Sequence, residues 1–477
     1  MLDNKSNLNF KSRKVHFIGI GGIGMSALAR YFHAKGSTIS GSDKECSGLI
    51  SDLQKEGIEN IYTPHSRQSI ERINPDYVIY TTALSTSNEE LVWAKENKKN
   101  ILHRADLLEY TTNSKKLISI SGTHGKTTTS AMICEMLISS NFDPSAILGG
   151  ILLSRNTNTI IGNGDYFVVE ADESDKSFLK GNPEIAVITN IEPDHLENYP
   201  GGLEEIKKTF LVFAKKSISK KGLVFCMHDK NTREIVTNNF DLNAENLISY
   251  GIYPKYDSKV SARYNSKTKL WDVYFKGEFV NSIQFKNAAE HNILNSLAAY
   301  SVGRLVGLNP GKIKQSIESY QGVKRRFQTL AKINEITIID DYAHHPTEIA
   351  ATIQAAKELM PERLIAILQP HQPIRLKDLW SDFIKVLKQV ENPMFITDTY
   401  LARGMTIEGV SSQKLVQEIN KPNINYLRGN IDEIAKQVEK LIKPGDLILI
   451  MGAGDITNLG TKLIKSFQIL ASKPGNN

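Results

Sequence analysis

Cysteine is scarce in this chain. Cys46, Cys134 and Cys226 are three residues in 477 and stand far apart. An odd count without metal-like spacing excludes a disulfide framework and a thiolate metal centre, and it fits a reducing compartment. Long apolar runs are also missing: none approaches the roughly 20 residues of a membrane span. Residues 1–14 are polar and contain no apolar signal core. The expectation is a soluble cytoplasmic protein that does not engage a membrane. Nor is there an excess of one charge, with 58 Lys and Arg against 52 Asp and Glu, a formal net charge of +6. Apart from small clusters such as Lys115-Lys116 and Lys324-Arg325-Arg326, that surplus is spread thinly. It is weak evidence for a nucleic-acid partner, and small acidic substrates, such as phosphates and carboxylates, explain it equally well, so no nucleic-acid partner is expected. No repeat or low-complexity segment is visible. Charged residues make up 23% and hydrophobic residues 40%, ordinary globular values, and the length is too great for a single core.

Strand-like and helix-like stretches alternate through most of the chain. Residues 15–20 form an apolar run ending in glycines, a helical pattern covers 23–34, and strands follow at 38–42 and 77–81. Such alternation implies parallel strands joined by crossover helices. These elements place a first domain at 1–113. A second, 114–328, opens with a strand at 116–121, a glycine turn and a helix from Lys126. It continues with strands at 166–170 and 186–189, a β-rich appendage of short alternating strands over 259–285, and a helix over 290–304. A third, 329–477, has strands at 336–339, 364–368, 394–397 and 447–451, with helices at 376–390 and 431–442. The expected fold class is α/β in three domains.

The most informative segment is Ser121-Gly122-Thr123-His124-Gly125-Lys126-Thr127-Thr128, between an apolar strand and an amphipathic helix. A helix N-terminus offers unpaired N–H groups and a positive dipole to an anion. Glycines let the backbone wrap phosphates, a lysine reaches the β- and γ-phosphates, and the next hydroxyl ligates Mg²⁺. Ile120 stands where the general phosphate-loop pattern has a glycine. Glu170-Ala171-Asp172-Glu173 follows an apolar strand, and carboxylates at the C-terminal end of a parallel strand suit a metal beside phosphates. Thr127 and Glu170 are therefore the expected ligands of a first Mg²⁺, with Glu173 a neighbour. Asn190-Ile191-Glu192-Pro193-Asp194-His195 has the same layout after its strand. His195 alone reads as an ordinary loop histidine.

Gly19-Ile20-Gly21-Gly22-Ile23-Gly24 fits G-x-G-x-x-G between strand and helix, with Asp43 where an acidic ribose contact belongs. The pattern places a diphosphate on a helix N-terminus. It does not separate a nicotinamide cofactor from a nucleotide-linked sugar. A dehydrogenase leaves the second loop at Lys126 unexplained, and a non-catalytic nucleotide-binding regulator would keep both loops.

The loop Gly122-Thr123-His124-Gly125-Lys126-Thr127-Thr128 resembles the ATP loop of the Mur ligase family. The likeness extends in order from about residue 14 to 459. The string from His16 to Ser26 resembles the UDP-binding start of the family's alanine-adding members. This resemblance implies a Rossmann-like UDP-binding first domain, a P-loop ATPase-like central domain and a Rossmann-like third domain that receives the amino acid. It implies ATP as a substrate, Mg²⁺, and UDP-N-acetylmuramate and L-alanine as partners in peptidoglycan precursor synthesis. Gly19, Gly21, Gly22, Gly24 and Asp43 would bind the UDP substrate. Gly122 through Thr128 would bind ATP, Asn292 and Asn295 would approach its adenine on one helical face, and Asp341 its ribose. His195 would help bind a second Mg²⁺. In Gly322-Val323-Lys324-Arg325-Arg326, Arg326 would approach the γ-phosphate beside the catalytic Lys126. In Asp340-Asp341-Tyr342-Ala343-His344-His345, Tyr342 and His344 would face the amino acid, and His344 would handle its amine proton. Arg375 would clamp its carboxylate.

The chain departs from the family pattern at Gln372, Pro373 and Ile374, and at Leu401-Ala402-Arg403-Gly404, which puts the fine geometry of the amino-acid pocket in question. Phe210 stands where several sister ligases carry a carbamylated lysine, which points toward alanine addition. A sister ligase adding another amino acid or a recycled peptide is the nearest alternative. Oligomeric state is left open.

Overall fold

The computed structural model describes residues 8–256, 258–286, 289–402 and 405–472. Of the segment 401–404, Arg403 and Gly404 lie outside the described residues. The chain forms two compact units, one of residues 1–286 with 292–322 and the other of residues 287–291 with 323–477.

The first unit holds two sheets. The N-terminal one is fully parallel, in spatial order Ile61–Tyr62, Thr38–Ser42, Lys14–Ile18, Tyr77–Tyr80, Asn100–His103. Chain order reverses at Lys14–Ile18, so the crevice beyond that strand is a topological switch point. The glycine loop lies there. The helix that follows, Ile23–Ala34, is buried from Met25 through Phe32. It is covered on both sides because it also packs on the hairpin strands Ser145–Leu152 and Thr157–Ile160 of the second sheet. Polar contacts fix that packing. Asn158 donates from Nδ2 to the Ile23 carbonyl (2.8 Å) and accepts from Arg30 Nη1 (2.8 Å).

The second sheet has ten strands, and its parallel centre comprises Gly222–Cys226, Ile185–Ile188, Lys116–Ser121 and Tyr166–Glu170 in that order. The expected β-rich appendage is continuous with this sheet. Val260–Asn265 pairs in parallel with Leu247–Ile252, and Leu270–Phe275 and Glu278–Ile283 extend the edge antiparallel. The hairpin Ser145–Leu152 with Thr157–Ile160 has no counterpart in the sequence reading. Its strand contains Gly149-Gly150, which interrupt the β-branched run that marks strands.

The second unit has one sheet, ordered Gln328–Ile333, Ile336–Asp341, Asp446–Met451, Arg363–Leu368, Met394–Thr397, Ile424–Leu427. Only its first pair is antiparallel. The single helix expected over 376–390 is two, Pro373–Asp378 and Trp380–Leu387, because the backbone leaves the helical basin at Leu379 (φ −105°, ψ 20°). Leu376 before the break and Phe383 and Leu387 after it all enter one core. Among the described residues no helix is long and apolar enough to cross a membrane.

Candidate active site

The phosphate loop joins Lys116–Ser121 to the helix Lys126–Ser139. Its backbone requires glycine at both bends. Gly122 has φ +137° and Gly125 φ +83°, and a Cβ would stand 2.1 Å from Thr189 Oγ1 at the first and 2.4 Å from Asn295 Oδ1 at the second. No side chain caps this helix and no acidic residue lies in its first turn, which leaves the N-terminal N–H groups available to an anion.

The segment after Ile185–Ile188 braces the loop. Asn190 accepts from the His124 N–H through Oδ1 (2.8 Å), and Thr189 Oγ1 donates to the His124 carbonyl (2.6 Å). Thr123 Oγ1 accepts from the Glu192 N–H (2.9 Å). Asn295, 7% exposed, accepts from Thr129 Oγ1 at 3.2 Å, so this side chain supports the loop from behind. Asn292 is half-buried on the same helix.

Lys126 Nζ donates to the carbonyls of Gly122 (2.6 Å) and Thr123 (3.1 Å) and to Glu173 Oε1 (2.9 Å). Burial works against its charge, but Glu173, Glu170 and Asp172 outweigh that and raise its pKa above the usual lysine value. Burial in turn pushes the Glu173 carboxyl up against the pull of Lys126. Asp172 keeps 41% of its side chain exposed; desolvation works against its charge, yet Arg104 and then Lys126 bring its pKa down to about 2. The acid loop is thus a charged cluster balanced around one ammonium.

Thr127 Oγ1 donates to Glu170 Oε2 at 2.7 Å, and the Gly149 N–H donates to the same oxygen at 3.1 Å. A hydroxyl and a carboxylate converging at the first turn of a phosphate-loop helix are hard oxygen donors of the kind Mg²⁺ takes, so these residues fit the ion. His195 follows the strand Ile185–Ile188. It adopts φ 54° and lines a cavity of about 490 Å³ with Thr82, Ala83, Ser174, Asp175, Lys176 and Asn198. A Cβ at Gly149 would lie 2.1 Å from Glu170 Oε2. Gly149→Ala, which removes no functional side chain, is expected to weaken the apparent Mg²⁺ affinity about 10–100-fold by displacing that carboxylate. A metal titration of activity checks this.

At the N-terminal switch point, Gly19 turns at φ +83°. Gly21 lies against Asp43, whose Oδ2 accepts the Gly21 N–H at 2.8 Å. Gly22 starts the helix Ile23–Ala34, again with no side-chain cap and no acid in the first turn. Below the strand ends lies a network that local sequence does not announce. Glu90 is fully buried and accepts from Ser42 Oγ and from the Ser66 N–H (3.0 Å), with His16 Nε2 at 3.4 Å. Those bonds hold its carboxyl below the ordinary range despite burial, and they fix the strand end that presents Asp43.

In the second unit, Arg325 and Arg326 both approach the Tyr342 ring, with guanidinium carbons 4.9 and 5.0 Å from its centroid. Arg325 is also tied to the Gly452 (2.6 Å) and Gly454 (3.0 Å) carbonyls. Asp341 is 8% exposed and accepts from the N–H groups of Phe327 (2.6 Å) and Ala343 (2.8 Å) and from Thr352 Oγ1 (3.2 Å). Its carboxylate organises its own turn, and burial raises its pKa to about 6. His344 Nδ1 lies 3.0 Å from the Tyr342 carbonyl. A carbonyl only accepts, so Nδ1 carries the proton and Nε2 is the basic nitrogen. Burial lowers the His344 pKa to about 4, with Arg375 and Arg326 also disfavouring its charge. His345 instead caps the helix Pro346–Glu358 in a capping box with Glu348. Beside His344, the His371 ring sits 5.6 Å away and stacks on Tyr400, and Arg375 Nη1 is 3.4 Å from His371 Nδ1. Gln372 takes φ 67° to start the helix that carries Arg375, and Ile374 is half exposed. His371 and Tyr400 extend this cluster beyond the residues picked out from sequence.

Three family models match consecutive stretches of the chain: the Mur ligase family catalytic domain over residues 14–116, the Mur ligase middle domain over 120–303, and the Mur ligase glutamate ligase domain over 325–454. The UDP-N-acetylmuramate–L-alanine ligase of Carboxydothermus hydrogenoformans is 39% identical over 458 residues, covering 95% of this chain and 97% of that protein. The protein of the same name from Geobacter sulfurreducens is 36% identical, covering 96% and 98%. Among solved structures, the UDP-N-acetylmuramate-alanine ligase MurC of Thermotoga maritima superposes with a TM-score of 0.79 at 28% identity, over 96% of this chain and all of that one (100%). A murein peptide ligase from Psychrobacter arcticus shares the fold, with a TM-score of 0.73 at 21% identity over 95% of this chain and 98% of its own. A braced phosphate loop, an uncapped glycine loop at a switch point and likeness from end to end lead to one conclusion: the chain belongs to the Mur ligase family.

Proposed function

We propose that this protein is an ATP-dependent ligase that joins L-alanine to the lactyl carboxylate of UDP-N-acetylmuramate, a cytoplasmic step in peptidoglycan precursor synthesis. The observation that carries the reading is that two uncapped, acid-free helix N-termini, each entered through a glycine loop, occur in one compact unit. One suits ATP and the other a nucleotide-linked acceptor. Full-length relatives named as alanine ligases select the acceptor and the amino acid.

In this reading residues 1–113 bind the UDP acceptor, residues 114–328 bind ATP, and residues 329–477 receive the amino acid. Gly122 through Thr128 wrap the phosphates, with Asn292 and Asn295 on the adenine side and Asp341 toward the ribose. Thr127 and Glu170 would hold one Mg²⁺ and His195 a second, which when bound supply charge neutralisation at the phosphates. An acceptor carboxylate oxygen attacks the γ-phosphorus and ADP leaves, giving an acyl phosphate. The alanine amine then attacks the acyl carbon, and phosphate departs with that oxygen. Lys126 and Arg326 stabilise the charge on the transferred group. His344 Nε2, neutral at physiological pH, accepts a proton from the amine, with Tyr342 beside it. Arg375 pairs with the alanine carboxylate.

Arg375→Ala is expected to raise the KM for alanine roughly 10–100-fold and to leave the KM for ATP within a few-fold. Equal effects on both would remove the clamp. The reaction itself is tested by phosphate release from ATP and Mg²⁺ with UDP-N-acetylmuramate, adding alanine, glycine or serine in turn. Release is expected to require the acceptor and to be fastest with alanine. Turnover that is indifferent to the acceptor would overturn the assignment.

A further inference from the structure

Arg104 stands between the N-terminal glycine loop and the acid loop of the first unit. It opens the helix Arg104–Thr112, and its preceding residue His103 accepts the Ala105 N–H at 3.3 Å, which fixes the turn that aims the side chain. The guanidinium faces two ways. Nη2 donates to Asp172 Oδ2 at 2.9 Å, in the acid loop between Glu170 and Glu173. Nη1 lies 3.4 Å from where a Cβ on Gly24 would be, so the glycine loop passes directly against it. Among the described residues, Arg104 hydrogen-bonds only to Asp172, and its side chain keeps 23% of its surface exposed. A guanidinium carries five donors in a planar fork, so one carboxylate oxygen leaves most of them for a ligand. Helix Ile23–Ala34, which begins at this loop, supplies no acidic side chain in its first turn to compete for them.

We propose that Arg104 is an acceptor-binding residue, taking an oxygen of the diphosphate that the glycine loop carries, while Asp172 holds the fork in position. The proposal rests on the reading of the N-terminal site as a nucleotide-diphosphate site. It adds a permanent cation placed against that loop. Arginine suits the role through its fixed geometry and permanent charge. Asp172 bonds Arg104 on one side and biases Lys126 electrostatically on the other. The same pair therefore links the acceptor's diphosphate to the cluster around the phosphate loop.

A brace between the N-terminal sheet and the acid loop would show the same salt bridge, and two variants separate the roles. Binding of UDP alone to the full chain, without ATP or metal, is measured by calorimetry, with thermal melts as a check on folding. Arg104→Ala is expected to weaken UDP binding roughly 10–100-fold, and Arg104→Lys to recover part of the loss. Asp172→Asn, which removes the carboxylate that positions the fork but keeps the cation, is expected to weaken UDP binding clearly less than Arg104→Ala, by under about tenfold. Should the alanine variant fail to fold, Arg104→Gln, which keeps the stem, takes its place. Unchanged UDP binding in Arg104→Ala, or equal losses in Arg104→Ala and Asp172→Asn, would overturn the proposal and leave the acceptor site standing. Failure of the unaltered protein to bind UDP would overturn both.

Discussion

Replacing Lys126 by alanine is expected to lower turnover by about 10²–10³-fold, the loss typical of removing one preorganised donor to developing charge. The ammonium already lies in the loop, against the Gly122 and Thr123 carbonyls. Binding phosphate therefore exchanges contacts over a short distance and does not recruit a distant side chain. The variant has a second consequence. Glu173, 6% exposed, loses its cation, and an uncompensated buried carboxylate is costly until it protonates. A carboxyl whose folded pKa is raised contributes stability at low pH that is lost as pH rises through that pKa. Burial already raises the pKa of Glu173, and losing Lys126 raises it further. The melting temperature of Lys126→Ala should thus fall more at pH 8 than at pH 6. A double variant Lys126→Ala with Glu173→Gln should lose that pH dependence and stay inactive. Near-normal turnover in the single variant would remove the ATP-loop assignment.

The second large effect is on stability. Phe210→Ala is expected to cost the central domain about 3–5 kcal/mol, read as a fall in the denaturant midpoint. The ring is fully buried, 5.2 Å from Phe178 by centroid, in a cluster with Phe213, Ile206 and Ile235. Resemblance puts a carbamylated lysine at this place in several sister ligases. Here the position faces aromatic rings, and a lysine or its carbamate would need the surrounding core rebuilt before it met a cation. A cost near zero would mean that the helix Gly202–Ile218 packs differently.

Local pattern carried the fold furthest where one element declares itself. The helices Ile23–Ala34 and Lys126–Ser139 begin where glycines end a strand, and Thr38–Ser42 and Met394–Thr397 are the strands expected there. Pairing was harder to read. Nothing local says that Val260–Asn265 adds to Leu247–Ile252, or that a Gly-Gly strand folds into a hairpin against the first domain's helix. The same division runs through the site. The loop residues and Glu170 are recognisable because each sits at a strand end. The partners that hold them are distant in sequence: Glu173 is 47 residues from Lys126, and Asp172 is 68 from Arg104. Glu90 lies in the first turn of a short helix, and only tertiary packing reveals it as the buried anchor of Ser42 and Ser66. Gly149 looks like a strand defect in sequence, whereas the fold makes it the clearance for the Glu170 carboxylate.

The central claim is that the γ-phosphoryl of ATP is passed to the acceptor carboxylate before alanine attacks. The measurement that tests it most directly uses UDP-N-acetylmuramate labelled with ¹⁸O in both lactyl carboxylate oxygens, incubated with the protein, ATP, Mg²⁺ and alanine. Mass analysis of the released phosphate is predicted to find one ¹⁸O atom per phosphate, with the other retained in the new amide. Phosphate free of label, or released equally well without the acceptor, would contradict the account.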